Sequence, residues 1–138
     1  MSAFHARILA SDTLFFDGDC EFMVVPCTDG AMGILSHHSN MIAAVVPGEL
    51  RFQPADEPLR TAAVSSGLVK IEDGEVLLLV DTAERPEDID ANRARRAADA
   101  AKEELLQKHS IQEYGRAQAN LARAISRLRV KERWHGSN

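Results

Sequence analysis

Few residues in this chain combine the type and spacing that chemistry requires. Cys20 and Cys27 lack the Cys-x-x-Cys spacing of a zinc or redox site and read as buried or incidental thiols. His37-His38 is an adjacent pair. Neighbouring side chains on an extended backbone face opposite ways, so one metal cannot readily take both, and an exposed loop contact is the better reading. Ser65-Ser66-Gly67 is not the Gly-x-Ser-x-Gly turn of a hydrolase, and no helix follows it. Asp29-Gly30-Ala31-Met32-Gly33 holds glycines without a phosphate-loop lysine, so turn geometry explains it. Asp88 and Asp90 could serve as paired acids, yet the amino end of a helix accounts for both through its dipole.

The arginines carry more. Arg93, Arg95 and Arg96 lie near the start of one helical stretch, and Arg116, Arg123, Arg127 and Arg129 lie on a second. If the two helices fold back on each other, Arg93 approaches Arg123 or Arg127. Guanidinium groups brought together repel unless an anion or a carboxylate joins them. A triphosphate would do so, as would an acidic helix on another subunit. A solvated basic face is the plainer alternative.

The elements that must hold these residues fall into two kinds. Up to residue 84 the chain reads as short strands: Phe4–Ala10, Glu21–Val25, Met41–Val46, Glu49–Phe52, Leu59–Val64, Leu68–Ile71 and Val76–Val80. Asp17-Gly18 and Thr28-Asp29-Gly30 read as turns, and Asp73-Gly74 is the strongest hairpin signal. Strands this short predict a sandwich or barrel. From residue 85 the pattern becomes helical. Pro86 suits an early helical position, with Glu87, Asp88 and Asp90 at the amino end. Ala94, Ala97, Ala98, Ala101 and Leu105 share one face, and Lys108-His109-Ser110 ends the pattern. A second face runs through Tyr114, Ala117, Leu121, Ile125 and Leu128, with Arg116, Arg123 and Arg127 opposite it. This predicts an antiparallel helical hairpin with a thin apolar seam and a basic stripe. So small a seam is marginal by itself and calls for the sandwich, a ligand or a partner.

Charge divides at the same place. Residues 1–84 hold 13 acidic and 4 basic residues, a net of −9, and residues 85–138 hold 8 acidic and 12 basic, a net of +4. We read 1–84 and 85–138 as two modules. The overall charge of −5 argues against a general nucleic-acid coat. No apolar run approaches the roughly 20 residues of a membrane span. The opening Met1-Ser2-Ala3-Phe4-His5-Ala6-Arg7 has no long apolar core or cleavage site, so no secretory signal is expected. A length of 138 residues and two cysteines also exclude a large multidomain enzyme and a disulfide knot.

Several motifs, in order, resemble one family. They are Phe16-Asp17-Gly18-Asp19, Gly30-Ala31-Met32-Gly33-Ile34-Leu35, Pro47-Gly48-Glu49-Leu50-Arg51 and Ala63-Val64-Ser65-Ser66-Gly67. Asp81-Thr82-Ala83-Glu84-Arg85 and Asp88-Ile89-Asp90-Ala91-Asn92-Arg93-Ala94 follow and are the most specific. Over nearly its whole length the chain resembles the epsilon subunits of bacterial F-type ATP synthases, called delta in mitochondria. The resemblance implies a mostly β fold with an α appendage: an amino-terminal ten-stranded β-sandwich, then an antiparallel two-helix hairpin. It implies a noncatalytic rotor subunit of the central stalk, peripheral at the cytoplasmic face of a bacterial cell membrane. The implied partners are the gamma subunit and the ring of c subunits, and the catalytic beta and alpha subunits when the arm extends to restrain ATP hydrolysis.

The resemblance also assigns residues. Glu84, Ile89, Asp90, Arg93, Arg123 and Arg127 match a nucleotide site formed by an Ile/Leu-Asp-x-x-Arg-Ala motif and second-helix arginines. Ala100 stands where tight binders carry a further arginine, which implies weak ATP binding and no required cofactor. Gly30, Ala31, Met32 and His38 fall in the region of rotor contact, and Arg116, Arg123, Arg127 and Arg129 in that of inhibitory contact. Ser36-His37-His38-Ser39-Asn40 replaces a Pro-Gly-His-Ala-Pro turn, Ala31 replaces a common acidic residue, and Ser66 a common glycine. The alternative readings are a free-standing, anion-responsive β-sandwich binding module with a helical arm and, more remotely, a sandwich enzyme.

Overall fold

The structure is a computed structural model that describes residues 2–107 and 110–136. Nine strands come first: β1 (Phe4–Ala10), β2 (Thr13–Cys27), β3 (Gly30–Ile34), β4 (Met41–Val45), β5 (Gly48–Pro54), β6 (Arg60–Val64), β7 (Gly67–Glu72), β8 (Glu75–Val80) and β9 (Ala83–Glu84). A 3₁₀ turn at Pro86–Asp88 leads to α1 (Ala91–Leu105) and α2 (Ile111–Gly136). In the predicted break between the helices, Lys108 and His109 lie outside the described residues.

The strands make one continuous sheet, in the order β1-β8-β7-β4-β2-β5-β6-β9, which folds over itself into a sandwich. β2 is the strand that joins the layers. Its first half pairs with β1, from Ala10↔Thr13 to Phe4↔Cys20, and its second half pairs with β3 and β5. The β2–β5 register slips between Cys20 and Phe22. Such a bulge bends a strand and lets it pass from one layer to the other. Asp17-Gly18, expected as a turn, therefore lies inside β2, where Gly18 faces Ala6. Pro26 does not close the strand either; it pairs with Ala31 near the end of the ladder. Splitting β2 at its bulge would raise the count of nine to the ten the resemblance implies.

The core is a single cluster fed by both layers. Phe4, Ala6 and Ile8 of β1, Met23 and Val25 of β2, Leu50 and Phe52 of β5, and Val76, Leu78 and Val80 of β8 all point into it. Asp73 and Gly74 both take positive φ, 52° and 80°, between the paired Glu72 and Glu75. This is the two-residue hairpin expected from an Asp-Gly pair, whose twist matches that of its strands.

The helical hairpin lies on one outer face. Asp90 caps α1 by accepting the Arg93 backbone N–H at 3.1 Å. α1 buries Ala94, Ala98 and Ala101, and Ala97 faces outward into a cleft. On α2 the buried stripe is Ala117, Ala124, Ser126 and Val130; Tyr114 and Ile125, expected in the seam, are exposed. The stripe is displaced because α2 serves two surfaces. It packs along α1, and its second half also covers the sheet, where Val130 meets Ala63 of β6 and Ile89 of the connector.

Candidate functional site

The connector and both helices bring Glu84, Asp88, Asp90, Arg93, Ala94, Ala97 and Arg127 around one cleft of about 400 Å³. Four of the six residues assigned to a nucleotide site, Glu84, Asp90, Arg93 and Arg127, thus meet. Ile89 lies beneath, buried against Ala63 and Val130. Arg123 lines a neighbouring crevice beside Ser65, Thr82 and Ser126, and donates to the side-chain oxygen of Asn120. Arg93 and Arg127 do converge, as the folding back of the helices requires. Arg127 Nε donates to the Glu84 carboxylate, and Arg93 lines the same cleft. Three carboxylates line the cleft against two guanidinium groups, so a polyphosphate entering it meets repulsion as well as attraction. Ala100 is exposed and sits two helical turns after Arg93, on the α1 face that forms the cleft wall.

The second half of α2 is fastened to the sandwich by polar groups. Lys131 Nζ donates to the Pro86 carbonyl at 3.0 Å, and Arg133 donates to Glu49 of β5. Arg127 is therefore turned inward, whereas Arg116 and Arg129 are exposed. The four arginines do not form one free basic stripe, because the face that carries Arg127 also rests on the connector.

The opposite face of the sandwich is bare. On β1, β8, β7 and β4 alternate residues point out of the core, and register places them side by side. Ala44 pairs with Leu68, Leu68 with Leu79, Leu79 with Leu9, and Leu9 with Leu14. The result is an apolar row across five strand segments, with Leu68 39 % and Leu14 54 % exposed. Ile42, 69 % exposed, flanks it in the next row with Lys70, Leu77 and Arg7. Motif reading missed this surface. Its signal was the unbroken run Val76-Leu77-Leu78-Leu79-Val80, which is apolar on both faces of a strand and so calls for cover on both. At one end of this face His5 hydrogen-bonds Asp17 and lies 3.6 Å from Glu75.

The rotor-contact candidates also lie at the surface. Gly30 and Ala31 of β3 are exposed, Met32 half-buried. His38 is half-buried in the loop after β3, where its Nδ1–H donates to the Ser39 carbonyl at 2.8 Å. Gly30 has φ +115°, which needs glycine; Gly33 has open space about it and no such φ.

The remaining chemical candidates have structural explanations. Burial pushes the Cys20 thiol up to about 12, and Cys27 is raised in the same direction by burial and by Asp29. Ser65 is buried, its Oγ accepting the Thr82 backbone N–H at 2.8 Å. Among the described residues no three His, Cys, Asp or Glu side chains gather as metal ligands, and no helix is long and apolar enough to cross a membrane.

A sandwich with one face covered by its own helices and the other left apolar is a protein built to dock. The ATP synthase delta/epsilon chain β-sandwich domain matches residues 3–86, and the long α-helix domain of the same chain matches residues 87–132. The chain belongs to the ATP synthase delta/epsilon family. It is 40 % identical over 133 residues to the ATP synthase epsilon chain of Ruminiclostridium cellulolyticum, covering 96 % of this chain and 98 % of that one. The epsilon chain of Ruminococcus albus is 36 % identical over 131 residues, covering 94 % and 97 %. The fold is shared with a chain of the Euglena gracilis mitochondrial ATP synthase OSCP/F1/c-ring structure. That match has a TM-score of 0.78 at 16 % identity, over 99 % of this chain and 82 % of that one. A chain of the Tetrahymena thermophila mitochondrial central stalk and c-ring structure matches with TM-score 0.69 at 12 % identity, over 92 % and 95 %. The chain is thus a noncatalytic subunit of the ATP synthase complex.

Proposed function

We propose that this noncatalytic subunit of the central stalk couples the gamma subunit to the c ring, with its sandwich as the anchor and its helical hairpin as a movable arm. The apolar row Ala44–Leu68–Leu79–Leu9–Leu14 carries the reading. A contiguous apolar surface of this kind on a chain that works in a complex marks a protein interface; we assign it to gamma. The exposed β3 hairpin and the loop holding His38 are assigned to the c ring. Gly33 supports this, since neither its φ nor its surroundings in the isolated chain demand glycine, whereas a partner's backbone approaching closely would. The complex then sits at the cytoplasmic face of a bacterial membrane, with this chain peripheral. In a pull-down, residues 1–84 alone recover gamma, because the sandwich core lies wholly within them. Leu68→Glu abolishes that recovery. Loss of gamma from a folded 1–84 fragment would overturn the division of labour.

For the cleft beneath the arm we propose weak ATP binding. Glu84, Asp90, Arg93 and Arg127 supply groups for adenine edges and phosphates, but the Arg127–Glu84 pair competes for the guanidinium. Ala100 supplies no donor. One charge-assisted hydrogen bond is worth about 1.5–3 kcal/mol, roughly 10- to 100-fold in affinity. Isothermal titration should show binding weaker than low micromolar, strengthened by Ala100→Arg; tight binding by the unmodified chain would refute the proposal.

A further inference from the structure

A second cleft, away from the Arg93–Arg127 site, lies where the sandwich, the connector and the end of α2 meet. It measures about 330 Å³, within the range of small-molecule sites. Its walls are Phe15 and Phe52 from the sandwich, Leu59 and Arg60 at the start of β6, Arg85 from the connector, and Trp134 near the end of α2. The two guanidinium groups differ in their neighbours. Arg60 stacks over Phe16 and is joined to Glu57 at 2.6 Å. Arg85 lies over the Phe15 ring, 5.9 Å from its centroid, and makes no ion pair or hydrogen bond through its side chain among the described residues. A guanidinium held over an aromatic ring with no carboxylate partner keeps N–H groups available to an anion. Glu87, also in the lining, repels a multiply charged ligand.

We propose that this cleft binds a small aromatic mono-anion, its ring against Phe15, Leu59 and Trp134 and its anionic group on the Arg85 guanidinium. The aromatic and aliphatic side chains give a ring apolar contact, while Arg85 offers a charge-assisted hydrogen bond to its anionic group. Because the walls come from β6, the connector and α2, an occupant touches sandwich and arm together. Occupancy therefore stabilises the docked position of α2 by mass action.

The test uses the full chain and 1-anilinonaphthalene-8-sulfonate as the probe. Trp134 is the only tryptophan, so selective excitation of the indole reports the probe's proximity through sensitised emission. Saturable sensitised emission is expected, with affinity falling roughly tenfold or more in Arg85→Gln, the loss of one charge-assisted bond. Leu68→Glu, on the bare face, leaves it unchanged. The uncharged N-phenyl-1-naphthylamine should bind at least roughly tenfold more weakly on the same scale. Equal binding of the neutral probe, an unaltered Arg85→Gln affinity, or loss of the signal in Leu68→Glu would each overturn the proposal. The comparison of the two probes needs no variant, so it stands even if Arg85→Gln fails to fold. None of these outcomes depends on gamma binding, which keeps this site separable from the docking reading above.

Discussion

His5, at one end of the exposed apolar face, shows how a single side chain responds to its neighbours. Its hydrogen bond to Asp17 raises its pKa above 6.5; partial desolvation opposes the rise, and the Asp17 and Glu75 charges add to it. A raised folded-state value means that protonated His5 favours the folded chain. That contribution is fully present below pH 6.5 and is lost as pH rises through the raised value. An imidazole titration followed by NMR should show His5 titrating above 6.5, and Asp17→Asn should lower it. If His5 titrates at its ordinary value in the parent chain, the pairing with Asp17 does not persist in solution.

Strand geometry decides which motif glycines the fold itself requires. Gly67 opens β7, a strand paired on both sides, with Val45 and with Val80. A Cβ there would lie 1.8 Å from the Leu79 carbonyl oxygen and 2.7 Å from the Val80 Cα, both backbone atoms with no room to yield. Gly67→Ala should cost about 3 kcal/mol or more, read as a lowered denaturation midpoint. Gly33→Ala should change stability by no more than about 1 kcal/mol. Both glycines belong to the motifs that carry the family resemblance, so the contrast separates a glycine that the fold needs from one that the c-ring contact would need. Equal losses at both would remove that support for placing the c ring at β3. On the helices, alanine has a related effect. Ala94, Ala98 and Ala101 let α1 approach α2 closely, but they bury little area, so α1 is held less firmly than the second half of α2.

Across the whole molecule, an acidic sandwich carries a basic arm, −9 against +4 by sequence. Among the described residues, Glu84 with Arg127 and Glu49 with Arg133 are the points where the two signs meet. An arm that extends toward the catalytic subunits must give up these pairs, the Lys131–Pro86 hydrogen bond and the Ala63–Ile89–Val130 contact. ATP hydrolysis by head complexes containing equal amounts of this subunit should rise when the chain is cut after Ala83, or when Arg123 and Arg127 are both changed to Glu. High salt should also weaken the restraint, since exposed pairs are screened. Unchanged hydrolysis after the cut, with the sandwich still bound, would make the hairpin a coupling or stabilising element instead of an inhibitory one.

Local physics wrote much of this into the sequence. Asp73-Gly74 marks its hairpin because few other residues accept two successive positive φ values. Asp90 marks the start of α1 because its side chain can satisfy a free backbone N–H. Charge and alanine content mark the change from sheet to helix near Glu84-Arg85-Pro86. The motif order implied the family, and hence that Arg93 and Arg127 face one space. What tertiary structure alone decided is what depends on pairing between distant strands and on which face of a helix finds a partner. Asp17-Gly18 looks like a turn until β1 pairs across it and a bulge past Cys20 takes up the bend. Ile125 looks like seam until α2 must satisfy α1 and β6 together, which favours the smaller Ala124 and Ser126. The row from Ala44 to Leu14 pairs residues as far as seventy positions apart along the chain, Leu9 with Leu79. It exists only because the register of four ladders sets those side chains on one face, and register is a property of paired strands that no single strand carries.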